Sequence, residues 1–266
     1  MRKDNIKADD IINSLSPDNN WDQAFKAGEG SGKSGSFFFF SHDSKFIIKT
    51  MNNMEKNTFK WIFRHYYDRV TNHPDSLLAR IYGVYTVKIE KLDPVHLILM
   101  GNSMQLQKIP WPVSGEKPKK TMKYVFDLKG SMVNRETKNP KPGSTLKDIN
   151  LLNIKVDENI LKFSPFDSTS IINLLKEDSE LLRNGNVMDY SMLLGIEENV
   201  LYRPPGHDSK SVTAEMMSSE DEFFKNWHRF ISSNRQYIYH ISVIDYLQDY
   251  DMGKKFENLA KSILKG

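Results

Sequence analysis

Two apolar runs on either side of a polar turn, Phe37 to Phe40 and then Lys45 to Thr50 beyond Ser41-His42-Asp43-Ser44, do most to restrict what this chain can become. Short runs rich in aromatic and β-branched residues, joined by polar residues, make a hairpin. Directly behind it, Phe59, Ile62, Phe63, Tyr66 and Val70 recur at spacings of three and four, so residues 54–70 read as a helix. His73-Pro74 ends it, because the residue before a proline is pushed out of the α region. Ile81 to Ile89 and Val95 to Met100, with a charged turn between them, supply two more strands of the same sheet.

Downstream the reading is sparser. Ser168 to Leu182 and Glu222 to Ile231 read as helices, with strands around Tyr124, around Leu193 and at Tyr239 to Ile244. Upstream, residues 1–30 read as a polar extension with one apolar patch (Ile11, Ile12, Leu15), and the first ordered element is expected near Ser34. With 266 residues, 39% of them hydrophobic and 11% aromatic, the chain can bury a core as one two-lobed domain or two small ones. No apolar run approaches the roughly 20 residues of a membrane span, and Met1-Arg2-Lys3-Asp4-Asn5 opens no signal peptide, so a cytoplasmic protein is expected. The absence of cysteine excludes disulfides, thiol nucleophiles and thiolate metal sites. A net charge of +3 is too mild to imply a nucleic acid partner, yet lysines gather between Lys117 and Lys147 and between Lys254 and Lys265, which makes local basic faces.

Three segments carry more than all of this: Phe126-Asp127-Leu128-Lys129-Gly130-Ser131, Val187-Met188-Asp189-Tyr190-Ser191-Met192-Leu193-Leu194 and Val243-Ile244-Asp245-Tyr246. In this order they resemble the DLKGS, MDYSLL and IID patterns of the phosphatidylinositol phosphate kinases. Upstream, Lys33-Ser34-Gly35-Ser36-Phe37-Phe38 is similar to that family's SGSxFF turn and Ile48-Lys49-Thr50 to its IKT strand. The resemblance covers about residues 30–265. It implies an α+β, two-lobed kinase-like fold, with an antiparallel-sheet N-terminal lobe (31–101) and a mixed C-terminal lobe (104–266). Gly101-Asn102-Ser103 then stands at the hinge, with Asn102 and Met104 beside the nucleotide. Residues 201–222, with Pro204-Pro205-Gly206, read as a mobile insert between the two acidic motifs.

The residues themselves admit one competing motif. Ala27-Gly28-Glu29-Gly30-Ser31-Gly32-Lys33-Ser34 matches a relaxed Walker A pattern, but a P-loop needs a strand before it and a helix after it. Here Asn20-Trp21-Asp22-Gln23 precedes and a strand follows, which suits a glycine flap laid over ATP phosphates by Ser34, Gly35 and Ser36. Lys49 alternates with Ile48 and so points to the opposite sheet face, where a kinase needs an ammonium on the α and β phosphates, with Glu55 as its orienting partner. By resemblance Asp189 handles the attacking hydroxyl and Asp245 holds Mg²⁺. Alternation along a strand puts Asp127 and Lys129 on one face, and by resemblance Lys129 and Arg135 serve the transferred phosphate and the lipid head group. Lys147-Asp148 sits in a segment like the family's KDxDF, with Asn150 in place of the second acid, and no chemistry is assigned to it. The chain has no His-Arg-Asp loop, Leu194 stands where protein kinases carry Asn, and no Phe-Gly follows Asp245, so it is not a protein kinase.

Met252, Phe256, Leu259 and Ile263 recur at helical spacing beside lysines, giving a basic amphipathic segment suited to an anionic membrane. By resemblance this segment selects substrate: Lys254, Lys255 and Lys261 meet the membrane, and Glu257 matches the branch that phosphorylates the 5-hydroxyl of phosphatidylinositol 4-phosphate. The expectation is therefore an ATP- and Mg²⁺-dependent lipid kinase making phosphatidylinositol 4,5-bisphosphate, peripheral at the inner face of the plasma membrane. The relatives' N-terminal elements often serve a homodimer, which leaves that partner open. An inactive phosphoinositide-binding scaffold and a P-loop NTPase dependent on Lys33 are the alternatives.

Overall fold

The computed structural model describes residues 6–26, 36–106, 122–158, 160–199 and 229–249. The N-terminal part runs α1 (Ala8–Leu15), α2 (Pro17–Lys26), β1 (Phe38–Phe40), β2 (Phe46–Met51), α3 (Asn53–Asn72), β3 (Ile81–Val87) and β4 (Val95–Gly101). The four strands form an antiparallel sheet in the order β1-β2-β4-β3. Side-chain alternation divides its faces. Phe46 and Leu99, with Ile48 and Tyr82, pack on Ile6, Ile11 and Leu15, while Met51 and Ile98 join the main core with Phe59, Ile62 and Tyr66 of α3.

The chain is thus ordered well before Ser34, against the sequence reading. Ser14 Oγ donates to Asp43 Oδ1 at 2.5 Å, and Asn20 takes the His42 N–H at 2.8 Å, so α1 and α2 are tied to the β1–β2 turn. Their apolar patch is too short to display a period, and only this contact with the sheet gives it a partner. Helix α3 begins with a capping box: Asn52 accepts from Glu55 N at 2.9 Å and the Glu55 carboxylate accepts from Asn52 N at 2.8 Å.

The C-terminal part runs β5 (Met122–Leu128), β6 (Thr145–Leu146), α4 (Asp148–Glu158), α5 (Pro165–Asn184), β7 (Val187–Met188), β8 (Ser191–Glu198), β9 (Arg229–Ile231), β10 (Tyr237–Ile244) and β11 (Gln248–Asp249). Five strands make a mixed sheet, β6-β5-β8-β10-β9, in which only the β5–β6 pair is parallel. Together with the first sheet this is the expected α+β, two-lobed arrangement. Helix α5 starts earlier than Ser168 because Ser164 accepts from Asp167 N at 3.0 Å and Pro165 supplies a preset first turn. The helix expected at 222–231 is overturned where it is described. Arg229–Ile231 is a strand, with Phe230 packed on the core and its neighbour Ile231 52% exposed, the opposite-face alternation of a strand. The rest of that expected helix and the 201–222 insert lie outside the described residues.

One core runs through both lobes. The segment between α3 and β3 is bonded to β10: Val243 N donates to Leu77 O at 2.7 Å and Ala79 N to Val243 O at 2.9 Å. Asp178 of α5, fully buried, accepts from Arg69 Nε of α3 at 2.8 Å, from Ser76 Oγ at 2.9 Å and from Leu77 N at 2.6 Å. Tyr66 and Tyr246 stack at 5.9 Å and both donate to Ala79 O. At Gly185 a Cβ would sit 2.7 Å from Ile62 Cγ2, so α3 passes the end of α5 where no side chain fits. The linker after β4 adds a further tie, Ser103 Oγ to Ser242 Oγ at 2.9 Å.

Candidate active site

Asp189 directly follows β7 and Asp245 directly follows β10, and β7 pairs antiparallel with β11 just beyond Asp245, with Met188 opposite Gln248. The two acids are thereby carried on paired segments. Both take left-handed backbone, φ 61° at Asp189 and φ 58° at Asp245. Most residues pay about 1–2 kcal/mol for that conformation, and Asp and Asn enter it more readily than others. The turn after β10 throws the Asp245 carboxylate toward Lys49 of the other lobe, and the turn after β7 throws that of Asp189 toward Lys129.

Each acid meets one lysine. Lys129 Nζ donates to Asp189 Oδ1 at 2.5 Å and to Asp189 O at 2.8 Å. Lys49 Nζ donates to Asp245 Oδ1 at 3.0 Å, lies 3.8 Å from Glu55 Oε1 and sits 5.5 Å from the centre of the Phe38 ring. The alternation expected of β2 holds: Ile48 packs toward α1 while Lys49 turns to the opposite side, into a small cleft shared with Glu55 and Asp245. Glu55 does two things, since one carboxylate oxygen closes the α3 capping box and the other faces Lys49. Among the described residues no group of three or more His, Asp or Glu is gathered as a metal cage. A single carboxylate at Asp245 with a half-exposed side chain still suits Mg²⁺, which commonly takes one or two carboxylates and completes its shell with water and substrate phosphates.

Beside Asp189 a cavity of about 1330 Å³ opens, and Lys129, Arg135, Lys176 and Arg183 stand on its wall. Against these four cations the wall sets two carboxylates, Asp189 on Lys129 and Glu180 on Arg183, and the excess of positive charge favours an anionic ligand. Alternation does not place Lys129 beside Asp127, because β5 ends at Leu128 and Lys129 already belongs to the following turn. Asp127 pairs instead with Arg135, whose guanidinium donates to Asp127 O and, at 3.2 Å, to Asp127 Oδ1.

The sequence reading left Asp148 without a task, yet Asp148, which is not itself on this wall, binds three residues that are. It accepts from Gly130 N at 2.9 Å, from Lys129 N at 3.1 Å and from Arg135 Nε at 2.7 Å. Burial works against its charge, but the Arg135 guanidinium and the backbone donors outweigh it and hold the carboxyl below the usual aspartate range. Asn150, in place of the family's second acid, accepts from Thr137 N at 2.8 Å and donates to Thr137 O at 3.1 Å. A carboxylate could not make that second bond.

Two residues expected beside the nucleotide are engaged within the protein. Asn102 is 7% exposed, donates to Ser44 O at 2.8 Å and accepts from Met104 N at 3.0 Å. Met104 lays its sulfur over Gly195, 2.6 Å from where a Cβ would stand. Ser36 precedes β1. Ser34 and Gly35 of the glycine flap, the competing Walker-like motif, and Lys254, Lys255, Glu257 and Lys261 of the basic segment lie outside the described residues. Among the described residues no helix is long and apolar enough to cross a membrane.

An antiparallel lobe and a mixed lobe that meet at Lys49 and Asp245, with a second lysine–aspartate pair on the mixed lobe, define the class, a two-lobed kinase-like α+β protein. Comparison with known proteins narrows it. The family model described as Phosphatidylinositol-4-phosphate 5-Kinase matches residues 20–266, and the chain belongs to this family. It is 36% identical over 192 residues to a Dictyostelium discoideum protein named as a probable phosphatidylinositol phosphate kinase, covering 71% of this chain and 25% of that one. It is 33% identical over 174 residues to a phosphatidylinositol 4-phosphate 5-kinase of Schizosaccharomyces pombe, covering 64% and 21%. A Plasmodium falciparum protein of the same name is 27% identical over 254 residues, covering 88% and 14%. The chain therefore spans about a quarter or less of the length of these relatives.

Proposed function

We propose that this chain transfers the γ-phosphoryl group of ATP to the 5-hydroxyl of phosphatidylinositol 4-phosphate, at an anionic membrane surface. The observation that carries the reading is the pairing of Lys49 with Asp245 across the lobes and of Lys129 with Asp189 on the C-terminal lobe. Such transfer needs little covalent work from the protein, and most of the rate comes from position and charge. In this reading Lys49, held by Glu55, releases Asp245 and takes the α and β phosphates. Asp245 is the residue that would hold Mg²⁺, which neutralises charge on the phosphates when bound. Asp189 accepts the proton of the attacking hydroxyl or orients that hydroxyl, and Lys129 moves from the Asp189 carboxylate to the transferred phosphoryl oxygens. Arg135 meets the phosphate already on the head group. The 4-phosphate preference rests on Glu257 and on the names of the relatives. The plasma membrane as the working surface is part of the same proposal.

The test is transfer of labelled γ-phosphate to vesicles carrying the 3-, 4- or 5-monophosphate of phosphatidylinositol, beside Asp189→Asn. Labelling of the 4-phosphate lipid, lost in the variant, is the expected result. Labelling of the 5-phosphate lipid alone would discard the substrate assignment, and no transfer with ATP still bound would discard the kinase reading in favour of an inactive scaffold.

A further inference from the structure

Asp148 stands at the start of α4, 8% exposed, and three donors converge on it from a single turn of chain: Lys129 N, Gly130 N and the Arg135 guanidinium. We infer that Asp148 is a positioning residue for the anion-binding wall, fixing Lys129 and Arg135 as one unit against Asp189. The inference rests on the reading that this wall meets the phosphorylated head group.

The geometry separates two tasks within one carboxylate. Oδ1 takes both backbone N–H groups at the shorter distances, with Lys129 N also within 3.4 Å of Oδ2, and so holds the turn in which Gly130 has left-handed backbone, φ 64°. Oδ2 takes Arg135 Nε, at the short distance of a charge-assisted bond. The guanidinium, fixed at Nε, presents its far end to Asp127 O and Oδ1. Ile149 N also donates to Arg135 O at 3.0 Å, so the backbone of residue 135 is tied to α4 as well. Lys129, whose N–H is held by Asp148, reaches Asp189 with its ammonium. Asp148 does not line the cavity beside Asp189, and what it contributes there passes through these two cations.

Asp148→Asn is the informative change because it keeps size and one oxygen. The Asn oxygen still serves the two backbone donors, while its NH₂ faces Arg135 Nε, donor against donor. The turn survives and the arginine loses its anchor. A charge-assisted hydrogen bond of this kind corresponds to roughly a ten- to hundredfold change, expected in kcat/KM for lipid. KM for ATP, set from the Lys49 side, should stay where it is.

The experiment uses the full chain in four forms: unsubstituted, Asp148→Asn, Arg135→Gln, and the double variant. Transfer to phosphatidylcholine vesicles containing phosphatidylinositol 4-phosphate is measured beside binding to the same vesicles, ATP affinity and melting temperature. If Asp148 acts through Arg135, its effect largely disappears once Arg135 is Gln, so the two losses do not add. Additive losses, an undiminished lipid kcat/KM in Asp148→Asn, or a loss matched by ATP affinity or accounted for by melting would overturn the inference. If the unsubstituted protein transfers nothing yet its vesicle binding still falls in Asp148→Asn, the kinase reading fails and the positioning role stands. If it neither transfers nor binds, both are overturned.

Discussion

Replacing Asp178 by Asn removes the charge at the most buried junction between the lobes, and the cost can be worked from its partners. The carboxylate is fully buried and serves Arg69 Nε, Ser76 Oγ and Leu77 N. Asn offers one oxygen for those donors, and its NH₂ meets at least one of them head-on. Arg69, 9% exposed, keeps only Glu177, reached by its Nη1 at 2.7 Å with a Glu177 side chain that is mostly in solvent. Breaking one member of a buried ion pair costs about 3–5 kcal/mol. At roughly 2–4 °C per kcal/mol for a chain of this size, the melting temperature should fall by about 6–20 °C. Arg69→Met combined with Asp178→Leu removes both charges, a swap that is often neutral in other proteins. Here it should recover only part of the loss, because Leu77 N stays buried without an acceptor, worth about 1–3 kcal/mol. Urea and thermal unfolding of the three variants decide it. A fall under about 1 kcal/mol for Asp178→Asn, or full recovery in the double variant, would refute the argument that this carboxylate locks the lobes.

Asp189→Asn should cut lipid phosphorylation by about 10²–10⁴-fold with little change in melting, whereas Asp189→Ala also pays for left-handed backbone and melts about 2–8 °C lower; turnover and calorimetry separate the two. Lys49→Met should abolish ATP binding, read by fluorescent nucleotide titration, and Lys33→Met should leave it essentially unchanged; the reverse would favour the P-loop reading. His240 is buried against Glu197 at 2.9 Å, and burial holds its imidazole below the ordinary value despite that carboxylate, with Arg229 adding to the depression. The unfolded chain then protonates first, so this stability is present above about pH 6.5 and falls away as pH drops below it, by up to about 1.4 kcal/mol per pH unit. Denaturant titrations between neutral and mildly acid pH should show a gentler slope in His240→Gln.

What could be read from the chain alone was whatever its neighbours along the chain decide. Strands β1 to β4 and helix α3 announce themselves because Phe, Ile and Val recur at periods of two or near four, and His73-Pro74 marks a stop. Helices α1 and α2 do not, since Ile11 and Leu15 of α1 acquire a meaning only against Phe46 and Leu99, and α2 is joined to the β1–β2 turn through Asn20. Phe230 and Ile231 look like the end of a helix until pairing with Ile238 and Tyr239 sets them on opposite faces of a sheet. In the site, Asp189, Asp245, Lys49 and Lys129 were picked out by motif order. The knowledge that Lys129 meets Asp189 and Lys49 meets Asp245 depends on residues 60 and 196 positions apart, which no local pattern encodes. Asp148 was noticed but given no task for the same reason: its donors, Lys129, Gly130 and Arg135, stand 13 to 19 positions away along the chain.

The bonds of Leu77 and Ala79 to Val243 have a mechanical consequence. A pair of shells joined at one seam can swing open like a book, but these shells are fastened at the linker, along 77–79, and again through Arg69 and Asp178. Covers glued at more than the spine do not turn about it. Val243 lies two residues from Asp245, so the strand that carries this aspartate is gripped by the chain of the opposite lobe, and the acid keeps its place against Lys49 of that same lobe.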